Sequence, residues 1–250
     1  LWVPWMLAGL GIVLRGAGFA FRRYSASLRS ARAFGAVFAS ASLITPFFLG
    51  MIAGGIVNGR VSLDADPSMS SWTGPASWIG GALAVLVSAF LAAVFLAHDA
   101  SRGSDASLAE WFRLRALVVG AVTGAVVLAA VPLLRDDAPA FTDRLEGRGV
   151  VFAVGSALAG LATLALLWRR SWVLARYTAG VAVGAVLVGW GVAQWPDFLV
   201  GSVTLAEVAG ARATLIGLVA VFGVAAVTAV PALVWLLYLV SRTRGSLQRA

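Results

Sequence analysis

The chain has 250 residues, 60% of them hydrophobic and only 12% charged, with no Cys, a single His, and 19 positive charges, all Arg, against 11 acids. Its mean hydropathy of +0.92 lies far above that of a water-soluble domain of this length. Disulfides, thiolate metal sites and iron–sulfur clusters are excluded. Apolar runs of 20 residues or more, rather than short alternating segments, argue against a transmembrane β-barrel.

In chain order the apolar runs predict helices near 2–21, 33–58, 76–98, 112–134, 149–168, 172–195 and 213–240, separated by Gly, Pro, Ser or charge. The expected fold class is all-α: a polytopic transmembrane helix bundle of about seven spans, forming a single integral membrane domain over 1–250. A net charge of +8 would suggest nucleic acid if the chain were soluble. The placement of the arginines points instead to a membrane.

Connections after the first, third, fifth and seventh runs carry Arg22, Arg23, Arg29, Arg32, Arg102, Arg113, Arg115, Arg169, Arg170, Arg176, Arg242, Arg244 and Arg249, with only Asp99, Asp105 and Glu110 among them. The alternate connections hold Arg60, Arg135, Arg144, Arg148 and Arg212 with the other eight acids. Arginine resists translocation, so the first set is expected in the cytoplasm, with the amino end outside and the carboxyl end inside a bacterial cell membrane. The sequence opens at Leu1 on an apolar run, without a basic leader or cleavage site, and further helices are expected upstream.

Arg15 is the one ionisable residue well inside a run, a costly position unless the charge is paired, wetted or able to snorkel. It precedes Arg22 by seven residues, about 10 Å of helix, within reach of a snorkelling side chain. The alternative is contact with a partner subunit, cofactor or lipid. Gly50 and Gly54, Gly120 and Gly124, and Gly180 and Gly184 carry the four-residue spacing that lets helix backbones approach closely in lipid. Asp64, Asp66 and Pro67, and again Asp136, Asp137 and Pro139, read as short solvated turns.

His98, beside Asp99 at the end of the third run, is expected to cap the boundary or be solvated, since metal or multi-haem sites need several donors. The three methionines, Met6, Met51 and Met69, are scattered. Most of the ten Trp fall near the ends of runs, as in an aromatic belt, although a quinone could stack on some of them. No hydrolase triad, phosphate-binding Gly loop or paired membrane carboxylates is present.

Four stretches together resemble subunit II of the cytochrome bd quinol oxidase family. Leu14-Arg15-Gly16-Ala17-Gly18-Phe19-Ala20-Phe21-Arg22 is similar to the family's LRG..FEFR stretch, with Ala20 where the family usually has Glu. Ser42-Leu43 through Pro46-Phe47-Phe48-Leu49-Gly50 to Gly55-Ile56-Val57-Asn58-Gly59 resembles the next helix and its outer end. His98-Asp99-Ala100-Ser101-Arg102, followed by Phe112-Arg113-Leu114-Arg115-Ala116-Leu117, resembles an inner loop and helix start. Gly189-Trp190-Gly191-Val192-Ala193-Gln194-Trp195-Pro196, then Thr204-Leu205 and Ala213-Thr214-Leu215, looks like the penultimate outer loop running into the last helix.

This resemblance implies nine spans in the family, two of them upstream of Leu1 together with a Trp-Asp-Gly-Asn-Glu segment. It implies a complex that oxidises a membrane quinol and reduces dioxygen to water. Haem b, haem d and the quinol site would lie in a partner, subunit I. This chain would be haem-free, would pack against that partner and lipid, would help form proton and oxygen routes, and could carry a bound quinone. The residues the resemblance singles out are Arg15, Phe19, Phe21 and Arg22, with Asp99, Arg102, Trp190 and Gln194 as subunit or loop candidates. Two other readings are a scaffold subunit and a small transporter, which would show broken helices and midplane polar sites.

Overall fold

A computed structural model describes residues 1–61, 69–103 and 106–247, with side chains to 239 except 237. The stretch with Asp64, Asp66 and Pro67, and the residues Asp105 and Arg249, fall outside it, as do the side chains of Arg242 and Arg244. The chain divides into two compact units, 1–204 and 205–250.

The first unit contains α1 (Trp2–Tyr24), α2 (Leu28–Val57), a 3-10 turn (Met69–Ser71), α3 (Pro75–Ser101), α4 (Ala106–Asp137), the short α5 (Pro139–Glu146), α6 (Val150–Trp168), α7 (Trp172–Gln194) and a hairpin of β1 (Asp197–Leu199) and β2 (Val203–Thr204). The second holds α8 (Leu205–Val208) and α9 (Arg212–Leu247). Among the described residues seven helices are long and apolar enough to cross a bilayer, matching the seven predicted runs. Most extend beyond the predicted bounds, since a helix continues into Arg-rich and Ala-rich flanks where hydropathy has already fallen. Helices α2, α4 and α9 run through Pro46, Pro132 and Pro231 without a break, unlike the interrupted helices a transporter would use.

Short links set the order of packing: α1 lies on α2, α2 on α3, α3 on α4, and α6 on α7, with α7 also against α3. Ser27 starts α2 by accepting from the Ser30 amide at 3.2 Å. Arg170, at φ 60°, turns the chain between α6 and α7, and the Ser171 amide reaches back to the Leu166 carbonyl at 2.8 Å. Phe90, Ala93 and Val94 of α3 meet Ala116 of α4, Leu167 of α6, and Ala175 and Ala179 of α7 in one buried cluster. Most of these residues are small. Without a hydrophobic drive between helices in lipid, close contact must come from small side chains.

The three Gly pairs part company. At Gly50 an added Cβ would overlap the Gly80 carbonyl oxygen, and at Gly54 that of Ala76, so this pair is the crossing of α2 and α3. Gly120 faces Leu164 and Phe90, but nothing lies within 4 Å of a Cβ on Gly124, Gly180 or Gly184. The same spacing therefore marks a helix contact in one pair, half of one in the second, and none among the described residues in the third.

Candidate functional site

The Leu14–Arg22 motif is the contact strip of α1. Gly11, Arg15, Gly18 and Arg22 recur at steps of four, three and four, which places them along one helix face. A Cβ on Gly18 would stand 3.0 Å from both the Phe34 oxygen and the Phe38 nitrogen, so only glycine lets α1 lie this close to α2. Phe19 meets Phe38 with ring centroids 6.3 Å apart, and Phe21 meets Phe34 at 5.5 Å. The Arg22 guanidinium side chain passes over Gly35, its Nε 3.8 Å from a Cβ position there.

Arg15 lies above the Phe38 ring at 5.7 Å and pairs with no carboxylate among the described residues. A guanidinium over a ring contributes about 0.5–1 kcal/mol when exposed and more when desolvated, which offsets only part of the cost of a charge at membrane depth. Arg15, Phe19, Phe21 and Arg22 are all exposed despite these contacts. Ala20 beside them is exposed as well.

Asp99 and Arg102 end α3 at the same end of the bundle as the links after α1 and α6. Asp99 is exposed, and its carbonyl accepts from the Arg102 amide at 3.2 Å. His98 lies in the last turn of α3, at the expected boundary, but is not solvated: the residue is 4% exposed, and Nδ1 has no hydrogen-bond partner among the described residues. Beside it, His98, Ser101 and Arg102 at the end of α3 and Trp172, Val173 and Arg176 of α7 line an open hollow of about 320 Å3. Nearby, Glu110 pairs with Arg113 and, at 3.4 Å, with Arg170, and Arg115 stacks on Trp111 at 3.0 Å.

Trp190 and Gln194 lie at the other end of α7. Trp190 packs against a cluster of Val57, Ala138, Phe141, Ala193 and Val200, which joins α2, α5, α7 and the hairpin. Gln194 is buried. Its Nε2 donates to the Phe198 carbonyl at 2.9 Å, pinning the hairpin to the helix end, while Oε1 has no partner among the described residues. The hairpin is further tied by the Val200 amide to the Ile56 carbonyl at 3.3 Å and by Ser202 Oγ to the Val61 carbonyl at 2.9 Å. Its tight turn uses Gly201 at φ 78°.

This end carries a polar lattice that the sequence did not announce. Asp137 is not in a solvated turn: it is 7% exposed, paired with Arg60, and its Oδ2 accepts from the Ala76 amide at 2.8 Å. Ala76 opens α3, where a carboxylate satisfies an orphan N–H and meets the positive end of the helix dipole. Arg144 pairs with Asp197 at 2.8 Å, Arg135 with Glu146 at 2.8 Å, and Arg148 donates to the Ala193 carbonyl at 3.3 Å. Each arginine here thus has an acceptor in the protein, whereas Arg22, Arg23, Arg29, Arg32 and Arg102 at the opposite end have no ion pair among the described residues. Acid spacing within the links after the second and fourth runs was the available signal, but nothing local indicated which acid met which arginine.

The eight candidate residues therefore fall in three places: the α1–α2 strip, the carboxyl end of α3, and the platform at the far end of α7. Among the described residues no group of three His, Asp or Glu side chains converges as a metal site would require. What the molecule presents is structure for a membrane: helices joined by small residues, charges gathered at both ends, and Trp2, Trp78, Trp111, Trp168, Trp172 and Trp195 at or near helix termini.

These features define a multi-pass membrane subunit. Residues 1–240 match the family described as cytochrome bd terminal oxidase subunit II, and the chain belongs to it. It is thus a subunit of the bd type of quinol oxidase, a haem-containing respiratory complex in which subunit II works with a subunit I partner. The fold is similar to that of a chain in the bd oxidase from Geobacillus thermodenitrificans, with a TM-score of 0.73 at 21% identity over 95% of this chain and 72% of that one. A sequence comparison with curated proteins gives no match.

Proposed function

We propose that this chain is the haem-free member of its oxidase complex, which packs against the haem-bearing subunit, helps shape proton or oxygen routes, and is not catalytic by itself. The observation that carries this reading is the poverty of haem donors: one His, no Cys, and three Met in 250 residues. Of these, His98 is buried at the end of α3, and Met51 is fully buried in the α2–α3 crossing against Gly81. Haem b and haem d then reside in subunit I, and quinol and lipid are the further partners.

The α1–α2 strip is the surface best suited to the partner. Phe19 and Phe21 are large, rigid and 67% and 55% exposed, and Arg15 between them and the membrane interior lacks a carboxylate among the described residues. A counter-charge or hydrogen-bond acceptor from subunit I would complete Arg15. Replacing Arg15 with Leu is expected to lower the yield of assembled complex or its oxygen uptake at least several-fold. If R15L yields complex of normal amount and turnover, Arg15 is not an assembly residue. Co-purification is the wider test: haem absorption should appear only when a larger companion subunit is present, and a haem spectrum from this chain alone would refute the haem-free reading.

In this reading the amino end lies outside and the links after α1, α3 and α6 lie in the cytoplasm. The absence of native Cys makes the test direct. Single cysteines at Thr73 and Ser202 should react with an impermeant maleimide in intact cells, and those at Ser27 and Ser171 only after lysis. The reverse pattern would invert the topology.

A further inference from the structure

From the link between α1 and α2, we infer a docking surface for the anionic phospholipid headgroups of the adjoining leaflet. Arg22, Arg23, Arg29 and Arg32 place four positive charges within the stretch 22–32, with no acid among them, where two helices long enough to cross a bilayer meet water. Clusters of this kind beside a span attract negatively charged lipid. All four arginines are exposed, and among the described residues none forms an ion pair or lies over an aromatic ring. At the other end of the bundle Arg60, Arg135, Arg144 and Arg148 each meet an acceptor of the protein. Charges that hold this fold together are thus recognisable, and the four in the link are not among them.

The link's own polar groups are already satisfied. Ser25 Oγ donates to the Phe21 carbonyl at 2.8 Å, Ser27 Oγ accepts from the Ser30 amide at 3.2 Å, and Ser30 Oγ donates to the Ser27 carbonyl at 2.9 Å. The hydroxyls serve the backbone, and the guanidiniums are the donors left for an acceptor from outside. Two acids stand at this end of the bundle among the described residues. Glu110 is taken by Arg113 and Arg170, and exposed Asp99 balances at most one of the four arginines.

The choice of lipid over an acidic segment of the companion subunit rests on two observations. Tyr24 is 83% exposed and Leu28 80%, so apolar side chains stand out between the charges, a mixture that suits the boundary between acyl chain and phosphate. Arg29 and Arg32, three apart, share a face of α2, whereas the consecutive Arg22 and Arg23 diverge by about 100° around α1. Charges leaving a helix end in several directions fit phosphates arrayed around it better than they fit one protein face. The inference rests on the membrane-spanning fold and holds whichever side of the membrane this end faces.

The test uses the complex in phosphatidylcholine nanodiscs, with a cysteine-free companion subunit and a bimane fluorophore on Ala26→Cys, an exposed position in a chain without native Cys. Phosphatidylglycerol or phosphatidylcholine, each carrying a nitroxide quencher near the glycerol, is added at equal mole fraction. Quenching should report an association of phosphatidylglycerol at least about fivefold above that of phosphatidylcholine. The preference should fall close to unity in R23Q/R29Q/R32Q and persist in R23K/R29K/R32K. Arg169→Gln, in a different link, should leave it unchanged. Raising NaCl from about 0.05 to about 0.5 M should also erase it, and this arm needs no arginine substituted, so a variant that fails to assemble does not spare the proposal. Equal quenching by the two lipids, or an undiminished preference in R23Q/R29Q/R32Q, would overturn the surface while leaving the link at the membrane. Absence of quenching by either lipid would show the link covered by the companion subunit and overturn lipid as its occupant.

Discussion

Gly54→Val is expected to reduce the yield of detergent-stable complex at least tenfold and to lower its melting temperature. The Cβ would overlap the Ala76 carbonyl oxygen and stand 2.6 Å from its carbon and 2.7 Å from the Ser77 Cα. All three atoms are backbone, so no side-chain rotation relieves the clash and α2 and α3 must separate. Overpacking costs about 1–3 kcal/mol where side chains can yield, and this site lies at or beyond the upper end. Separation also forfeits the van der Waals contact that holds helices together in lipid. Gly180→Ala, where nothing lies within 4 Å, is the matched control and should assemble normally. Thermal melting and gel filtration of both variants decide the matter; a G54V complex as stable as its control would mean the two helices do not cross there.

The second large effect is expected at Asp137. Its side chain is 3% exposed, and removing it in D137A leaves the Arg60 guanidinium without its acid and the Ala76 amide without an acceptor. Breaking one side of a fully buried pair costs about 3–5 kcal/mol. Arg60 is 42% exposed and can recover water, which brings the expectation down to about 2 kcal/mol. D137N should cost less, since the amide oxygen can still accept from Ala76. In a double-mutant cycle, R60A/D137A should be less destabilised than the sum of the single variants, because each alone strands the other's charge. Additive losses would show that the two residues act separately.

Long spans were legible because their cause is local. About twenty consecutive apolar residues suffice to cross lipid, and every backbone N–H and C=O is satisfied within the segment itself. Motif recognition was legible in the same way, since Leu14–Arg22 carries its glycines and aromatics at helix-face spacing. Asp137 was not. Asp136-Asp137-Ala138-Pro139 has the composition of an exposed turn, and its burial depends on Arg60, 77 positions away, and on a helix start at Ala76. For His98 the place at a helix end was legible and its burial was not, because burial is set by neighbours distant in the chain.

Sequence by itself determined the solvent of this protein, the seven segments here that are long and apolar enough to cross it, and the family to which the chain belongs, because hydropathy, charge and short motifs are properties of contiguous residues. Tertiary structure decided which Gly pair is a helix crossing, which acid meets which arginine, and that the lone histidine at the end of α3 is buried. Gly50-x-x-x-Gly54 and Gly180-x-x-x-Gly184 are alike as strings, yet only the first faces another backbone. A contact is a relation between segments distant in the chain, and its free energy comes from the neighbour that folding brings, not from the spacing that makes room for it.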